Sequence, residues 1–381
     1  MSRGNSKPEV REFYRRSPHL VCYWQGRQFV LENYATATRV ATAPLACEIL
    51  DFFDRWRPAA DLARRFSRYS TASLARAMSS LIGVGLLDRS RAPRNQKAEA
   101  LSTWSDWSPA ASFFHFSTKD SHQPIEPGDS VRKLRRRARA TPLPPALKGY
   151  PKNQQIVLPA AKTEGEFPDV LLQRRTWRQF SDAKLKLDDL ATLLRLTFGV
   201  QSWLDLPGVG RVALKTSPSG GSRHPIEAYV VAQRVQGLGR GLYHYNAGSH
   251  RLELLHKRTS AARTSSYLNG QWWFGSAPAV VLMTAVFARP QWKYPASRAY
   301  RIVLVDAGHL CQTFCLAATW LGLAPFCTMA IADSEIERDL EIDGVTESII
   351  YTAGVGGRSG DADQARWPTQ AYGRRVPNNF L

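Results

Sequence analysis

The sequence predicts an α+β fold, a small strand-and-helix unit followed by a larger sandwich of strands and helices. Two observations carry this. Residues 19–92 read as strands, three helices and a closing strand, and residues from 167 onward alternate helical periodicity with β-branched runs. The length of 381 residues also suits two domains better than one. The expected division is 1–92, a connecting region over 93–166, and 167–381.

In the first unit, Leu20-Val21-Cys22-Tyr23-Trp24 and Gln28-Phe29-Val30-Leu31 flank Gln25-Gly26-Arg27, a β-hairpin pattern. Residues 44–53 place Leu45, Ile49, Leu50 and Phe53 on one helical face. A short helix is expected over 61–66. A third is expected over 74–84, where Leu74, Ala77, Met78, Leu81 and Ile82 recur at helical spacing. Gly83-Val84-Gly85-Leu86-Leu87 then leads into the closing strand. This is the order of a winged helix, which can bind DNA, a protein or a peptide. Arg76 is the one clear basic residue of the third helix, which is thin for reading a DNA groove. A peptide adding a strand to the sheet edge is the more attractive use.

Periodicity lapses over 93–160. Six of the ten residues 131–140 are basic, and Pro142, Pro144, Pro145 and Pro151 follow. Such a run reads first as a solvated face or linker, and second as a site for an acidic peptide or RNA. Trp104, Trp107, Phe113, Phe114 and Phe116 precede it and are expected to pack on a domain surface.

In the second unit a helix is expected over 187–196, apolar at Leu187, Leu190, Leu193 and Leu194, and a buried strand over 228–232. Residues 241–245 and 251–255 bracket a hairpin loop at Asn246-Ala247-Gly248-Ser249. Residues 278–287 form another strand. A long helix should run from Asp306, its expected N-cap, to Leu321, stopped by Gly322. The last strand covers 348–353. No Gly-x-Gly-x-x-Gly follows an early strand, which argues against a dinucleotide-binding unit.

Hydrophobic residues at 44% and charged residues at 22% are enough to bury a full core. The longest apolar run, 278–287, is too short to span a bilayer, and no apolar signal segment opens the chain. A cytoplasmic protein without a membrane partner is therefore expected. A net charge of +19 favours anionic partners, but the basic residues fall on no one identifiable face, and nucleic acid is not the expected partner. The five cysteines form no C-x-x-C pair. Cys311 and Cys315, one helical turn apart in an apolar stretch, read as core residues, and no metal is expected.

Three short stretches carry the chemistry. In Arg174-Arg175-Thr176-Trp177-Arg178-Gln179-Phe180, three guanidiniums and one hydroxyl suit a phosphate monoester. In Ser217-Pro218-Ser219-Gly220-Gly221-Ser222-Arg223-His224-Pro225, Gly220 and Gly221 remove side chains where a planar ring would press on the backbone. Exposed N–H groups there suit the pyrimidine edge of a flavin. The plainer readings are an exposed helix start and an ordinary turn, and His224 reads as structural. In Trp292-Lys293-Tyr294, the flanking Pro290 and Pro295 favour irregular backbone, which two adjacent side chains need in order to line one pocket. A lysine can act as a base where burial or nearby cations such as Arg289 and Arg298 depress its pKa. Together the three suggest a flavin site with acid–base groups beside it.

With these motifs in this order, residues from about 167 to 360 resemble the FMN-dependent nitroreductase superfamily, in particular the SagB-type azoline dehydrogenases of ribosomal peptide maturation. The matching features are residues 174–180, residues 218–227, Trp292-Lys293-Tyr294, Asp306-Ala307-Gly308-His309 and Gly354-Val355-Gly356-Gly357-Arg358. The resemblance implies a nitroreductase-like FMN-binding sandwich preceded by a winged-helix-like leader-recognition domain. It implies FMN held at its phosphate and ribityl chain by Arg174, Arg175, Thr176 and Arg178. Pro218, Ser219, Gly220, Gly221 and Ser222 would line the isoalloxazine, and Gly356, Gly357 and Arg358 would complete the cofactor site. Lys293 and Tyr294 would be the catalytic pair. Homodimers with FMN at the subunit interface, an azoline-containing peptide substrate and a cyclodehydratase partner are also implied. The activity that follows is oxidation of thiazoline or oxazoline rings to thiazole or oxazole, with oxygen reoxidising the flavin. The alternatives are a flavin-dependent NAD(P)H oxidoreductase acting on a small molecule or another peptide group, and a non-catalytic peptide-binding adaptor. Gln312-Thr313 stands where relatives often have Gln-Asn.

Overall fold

A computed structural model describes residues 12–91, 99–107, 109–120, 129–141, 163–207, 210–257, 260–269 and 271–360. The chain divides into two compact units, residues 1–119 with Pro295–Arg298, and residues 120–294 with 299–381.

The first unit begins with β1 (Phe13–Arg16), β2 (Leu20–Gln25), β3 (Gln28–Asn33) and β4 (Thr38–Ala41). β2, β3 and β4 form an antiparallel meander. Its first turn closes on Gly26 at φ 61°, as a two-residue hairpin loop requires. Then come α1 (Pro44–Phe52), β5 (Arg57–Pro58), α2 (Ala59–Arg65), α3 (Thr71–Gly83) and β6 (Leu87–Arg89). The Ser70 hydroxyl caps α3 by accepting from the Ser73 N–H at 3.2 Å. The core is Leu31, Ile49, Phe53, Leu62, Leu74, Leu81 and Leu86. The expected hairpin, three helices and closing strand are thus present. β1 and β5, which pair with each other, were not legible, since β1 is half arginine and β5 only two residues long.

This unit continues past residue 92. Trp104 and Trp107 are buried, Phe116 on α4 (Pro109–Thr118) stacks on Tyr34 with rings 6.3 Å apart, and Phe113 packs beside Tyr23. The aromatic stretch falls within the first compact unit and packs on Tyr23 and Tyr34, as an aromatic stretch expected to pack on a domain surface should. The basic run forms α5 (Asp129–Ala140), whose described arginines are exposed. The prolines from 142 to 151 lie outside the described residues.

The second unit contains α6 (Glu166–Gln173), α7 (Leu187–Phe198), β7 (Val200–Leu206), β8 (Gly210–Lys215), β9 (Ile226–Ala232), β10 (Gly241–Asn246) and β11 (Arg251–His256). α8 (Ala261–Tyr267), β12 (Ala279–Val286), α9 (Ala288–Lys293), α10 (Tyr300–Trp320), β13 (Leu323–Thr328), α11 (Asp333–Leu340) and β14 (Glu347–Gly357) follow. Six strands form one antiparallel sheet in the order β11-β10-β9-β12-β14-β13. Successive strand residues face opposite sides. Val231, Val280, Leu282 and Phe326 therefore share a face with Tyr267, Phe274 and Ile336, and Phe274 stacks on Phe326 at 3.9 Å. The other parity faces α10, which packs on β13 and β14 with α7 beside it. The β10–β11 hairpin closes as expected, the Asn246 side chain accepting from the N–H groups of Gly248 and Ser249.

α10 departs from the expectation at its start. It begins at Tyr300, because buried Tyr300 and Val303 extend the apolar face backwards. Asp306 is not the N-cap but an interior residue, 3% exposed. The end is as expected, with Gly322 in the left-handed region at φ 74°. Among the described residues one helical stretch, Ser297–Trp320, is long and apolar enough to cross a membrane. Half of it is buried within the fold, as a core helix requires.

Candidate active site

The turn at 217–224 is fastened to α10. Ser217 Oγ lies 2.7 Å from Thr313 Oγ1, and Ser219 Oγ donates to Asp306 Oδ2 at 2.5 Å. The Gly220 N–H donates to the same carboxyl, and His309 Nδ1 donates to the Pro218 carbonyl at 3.3 Å. Burial pushes the Asp306 carboxyl above the usual carboxylate range, against those two donors. Its place inside an apolar helical face is what the sequence reading missed. The available signal was a carboxylate set between the apolar Val303 and Leu310.

Gly221 explains why the turn carries two glycines. It sits at φ 62°, and a Cβ there would stand 2.5 Å from Lys293 Nζ and 2.6 Å from Tyr294 Oη. A Cβ at Gly220 would stand 2.6 Å from Ile302 Cγ2. The second and third motifs therefore meet, with the lysine and tyrosine tips converging on one glycine. They come from the end of α9 and its C-cap, where the chain leaves helical geometry at φ −128° and ψ 83°. That break lets adjacent side chains share a side. Lys293 is exposed and Tyr294 half-buried, and the ammonium lies 5.6 Å from the tyrosine ring centre. Gly221→Ala is expected to cost about 1–2 kcal/mol through its backbone conformation. Urea unfolding should register that loss, whereas Gly239→Ala, with no positive φ and only an ordinary 3.5 Å contact to Tyr243 Oη, should lose nothing.

His224 is structural here. Its Nε2 is 3.0 Å from the Ala213 carbonyl, and burial, with Lys215 next, lowers its pKa to about 4. The ring is neutral at neutral pH and donates to that carbonyl. Arg289 donates to the His224 carbonyl at 2.9 Å and pairs with Glu227. Burial pushes Glu227 up, but hydrogen bonds and charge from His244 and Arg289 outweigh it and hold the carboxyl low.

The arginine motif forms a second centre. Arg174 caps α6, and the Trp177 N–H bonds the Pro325 carbonyl at 2.9 Å, burying the indole at 2% exposure. Arg174, Arg175, Thr176 and Arg178 are half-buried around it. Arg175 Nη1 also donates to the carbonyls of Leu172 and Arg174. Phe180 bridges to Arg358, and the Ser181 N–H bonds the Gly357 carbonyl at 3.0 Å. A Cβ on Gly356 would press on Phe180, and one on Gly357 on Ser181 Oγ, so both glycines are explained by the close approach of this segment. Arg358 donates to the carbonyls of Leu323 and Thr319 at 3.1 Å each, its guanidinium 5.8 Å from the Trp177 ring centre. The first motif and the 354–358 motif thus lie together, beside the C-terminal end of α10.

The two centres attach to different stretches of one helix, the glycine turn from Ile302 to Thr313 and the arginine centre at Thr319. Asp306 and Ile302 hold the glycine turn, and Thr319 marks the arginine end. At 1.5 Å per residue, Asp306 and Thr319 are about 20 Å apart along the axis. Around that helix, Val305 and Trp320 on α10 and Phe167 and Leu171 on α6 remain exposed.

Comparison with known proteins places this unit. The profile described as the nitroreductase family matches residues 171–357. The trifolitoxin-processing protein TfxB of Rhizobium leguminosarum bv. trifolii is 33% identical over 172 residues, 43% of this chain. The chain spans only 45% of that relative's length. A protein of Methanocaldococcus jannaschii named as a nitroreductase is 30% identical over 194 residues, 49% of this chain and 90% of that one. Among solved structures, a chain of the E. coli microcin synthetase McbBCD complex with truncated pro-MccB17 bound is 20% identical. That match covers 68% of this chain and 94% of the other, with a TM-score of 0.48. On the profile match and on the near-complete coverage of the archaeal relative, the chain belongs to the nitroreductase family.

Proposed function

We propose that the chain is an FMN-dependent dehydrogenase that oxidises thiazoline or oxazoline rings of a ribosomal peptide to thiazole or oxazole. The observation that carries this is the convergence of Lys293 Nζ and Tyr294 Oη on Gly221, a position where the chain has room for no side chain of its own. The donor set fits FMN. Arg174, Arg175, Thr176, Arg178 and Arg358 gather cationic and hydroxyl groups suited to a phosphate. The turn from Pro218 to Ser222 presents side-chain-free backbone suited to a flat ring. FMN, when bound, supplies the two-electron hydride acceptor that azole formation needs. The chain's own part is to orient the ring and remove a proton: Lys293 Nζ or Tyr294 Oη takes the azoline Cα proton as the Cβ hydride leaves.

Because Asp306 at the glycine turn and Thr319 at the arginine centre lie about 20 Å apart along one helix, we assign the two centres to different copies in a homodimer, the arginines of one facing the glycine turn of the other. The exposed apolar residues of α6 and α10 suit such a partner. The peptide substrate rests on the similarity to the trifolitoxin-processing relative and on the Lys-Tyr pair. The N-terminal unit is proposed to hold the leader segment, since β2 is an edge strand among the described residues and presents Trp24 at 70% exposure. A cyclodehydratase would supply the azoline.

The test is a visible spectrum followed by mass spectrometry. The purified chain should be yellow and release FMN on heating. With a cyclised peptide it should remove two hydrogens per ring. A colourless chain, or one that steadily oxidises NADPH with no peptide present, would overturn the proposal.

A further inference from the structure

Cys311 and Cys315 lie one turn apart on the buried side of α10, at 3% and 4% exposure. Cys327 arrives from β13. Its neighbour Phe326 packs on the far face of the sheet, so Cys327 points at α10. The three Sγ atoms all lie within 4.8 Å of one another. We propose that Cys311, Cys315 and Cys327 form a binding site for one soft, thiolate-seeking metal ion, Zn²⁺ or Cu⁺.

The spacing matches such an ion. Three thiolates each about 2.3 Å from one centre stand about 4 Å from each other. Closing the present triangle onto an ion takes only a small rotation of side chains. Core packing accounts for a small residue at any one of these positions, but not for three sulfurs from two elements meeting at a point. A disulfide would leave one of them over. Soft thiolate donors select Zn²⁺ and Cu⁺ over magnesium or calcium.

Arg174 lies within electrostatic reach of Cys315 and Cys327, and Tyr351 hydrogen-bonds with Cys327 and Cys311. Metal uptake would displace the thiol protons. Arg174 offsets the negative charge that three thiolates leave around the ion. Tyr351 Oη, beside Cys327 and Cys311, is the candidate fourth ligand. Zn²⁺ in a closed tetrahedral site uses four ligands, whereas Cu⁺ is satisfied by three thiolates.

The test uses the full chain, purified under reducing conditions without chelator. Elemental analysis should find Zn or Cu in equal amount to the chain. Metal-free protein should take up Zn²⁺ or Cu⁺ in competition with a chromophoric chelator. Uptake should be lost in Cys327→Ser and in Cys311→Ser, and kept in the Cys22→Ser/Cys47→Ser double variant. Tyr351→Phe should weaken Zn²⁺ if that is the ion and leave Cu⁺ unaffected. Should the serine variants fail to fold, Co²⁺ added to the unaltered chain should give a thiolate-to-cobalt charge-transfer band. Absence of that band together with no uptake of Zn²⁺ or Cu⁺ would show core thiols only. Uptake that follows Cys22 and Cys47 instead would equally overturn the site.

Discussion

Lys293→Ala is expected to yield a protein that keeps its yellow FMN yet turns over an azoline peptide about 10²–10⁴-fold more slowly, the range set by loss of a general base. The expectation follows from position. Lys293 ends α9 and reaches Gly221, whereas the arginine centre that would hold the phosphate lies at the other end of α10. Removing the ammonium should therefore leave cofactor content unchanged. Tyr294→Phe separates the two members of the pair. A near-normal rate in that variant beside a collapsed rate in Lys293→Ala assigns the proton to Nζ, and the reverse assigns it to Oη. Unchanged azole formation in both would end the role given to the pair. Bound flavin should be quantified in each variant, so that a rate lost through an empty site is not mistaken for lost proton transfer.

Mixing two inactive variants is expected to restore activity. One carries Arg174→Ala and Arg178→Ala, the other Lys293→Ala. In a mixed dimer one composite site has both defects and the other has neither. Random exchange makes half of the dimers mixed, so about a quarter of all sites should work, as two-fold symmetry dictates. A site contained within one chain would instead give only the sum of the parent rates. The comparison is made on one protein concentration, after unfolding and refolding the chains together to ensure exchange. The 20 Å separation along α10 is what makes the larger figure the expected one.

How far the sequence could be read differs between the two kinds of information. Elements with strong local signals were legible: the Gly26 hairpin, the periodicity of α3, and the Gly322 stop of α10. β1 and β5 were not, because a two-residue strand gains its pairing only from partners 43 and 45 residues away, Tyr14↔Arg57 and Phe13↔Pro58. Asp306 looked like a helix cap because Asp commonly is one, yet burial of Tyr300 and Val303 overrode that preference. The aromatic stretch after residue 100 carries no periodicity, so its packing on Tyr34 had no local signature. At the candidate site each motif could be recognised as a string. Which strings touch could not: residues 217–224 meet Lys293 and Tyr294, and residues 174–181 meet 356–358, through sheet and helix packing alone. The third sulfur beside Cys311 and Cys315 was hidden for the same reason, since Cys327 approaches from another element.

The 21 residues of α10 form a stiff rod which, on the function proposed above, would carry half of a reaction centre towards each tip. In a symmetric pair every rod serves both reaction centres, the near tip completing one and the far tip the other. A tilt of one rod as substrate settles at its near tip must then displace groups at the opposite centre, because packed helices shift as rigid bodies rather than stretching. In such a pair, occupancy of the two centres would be linked.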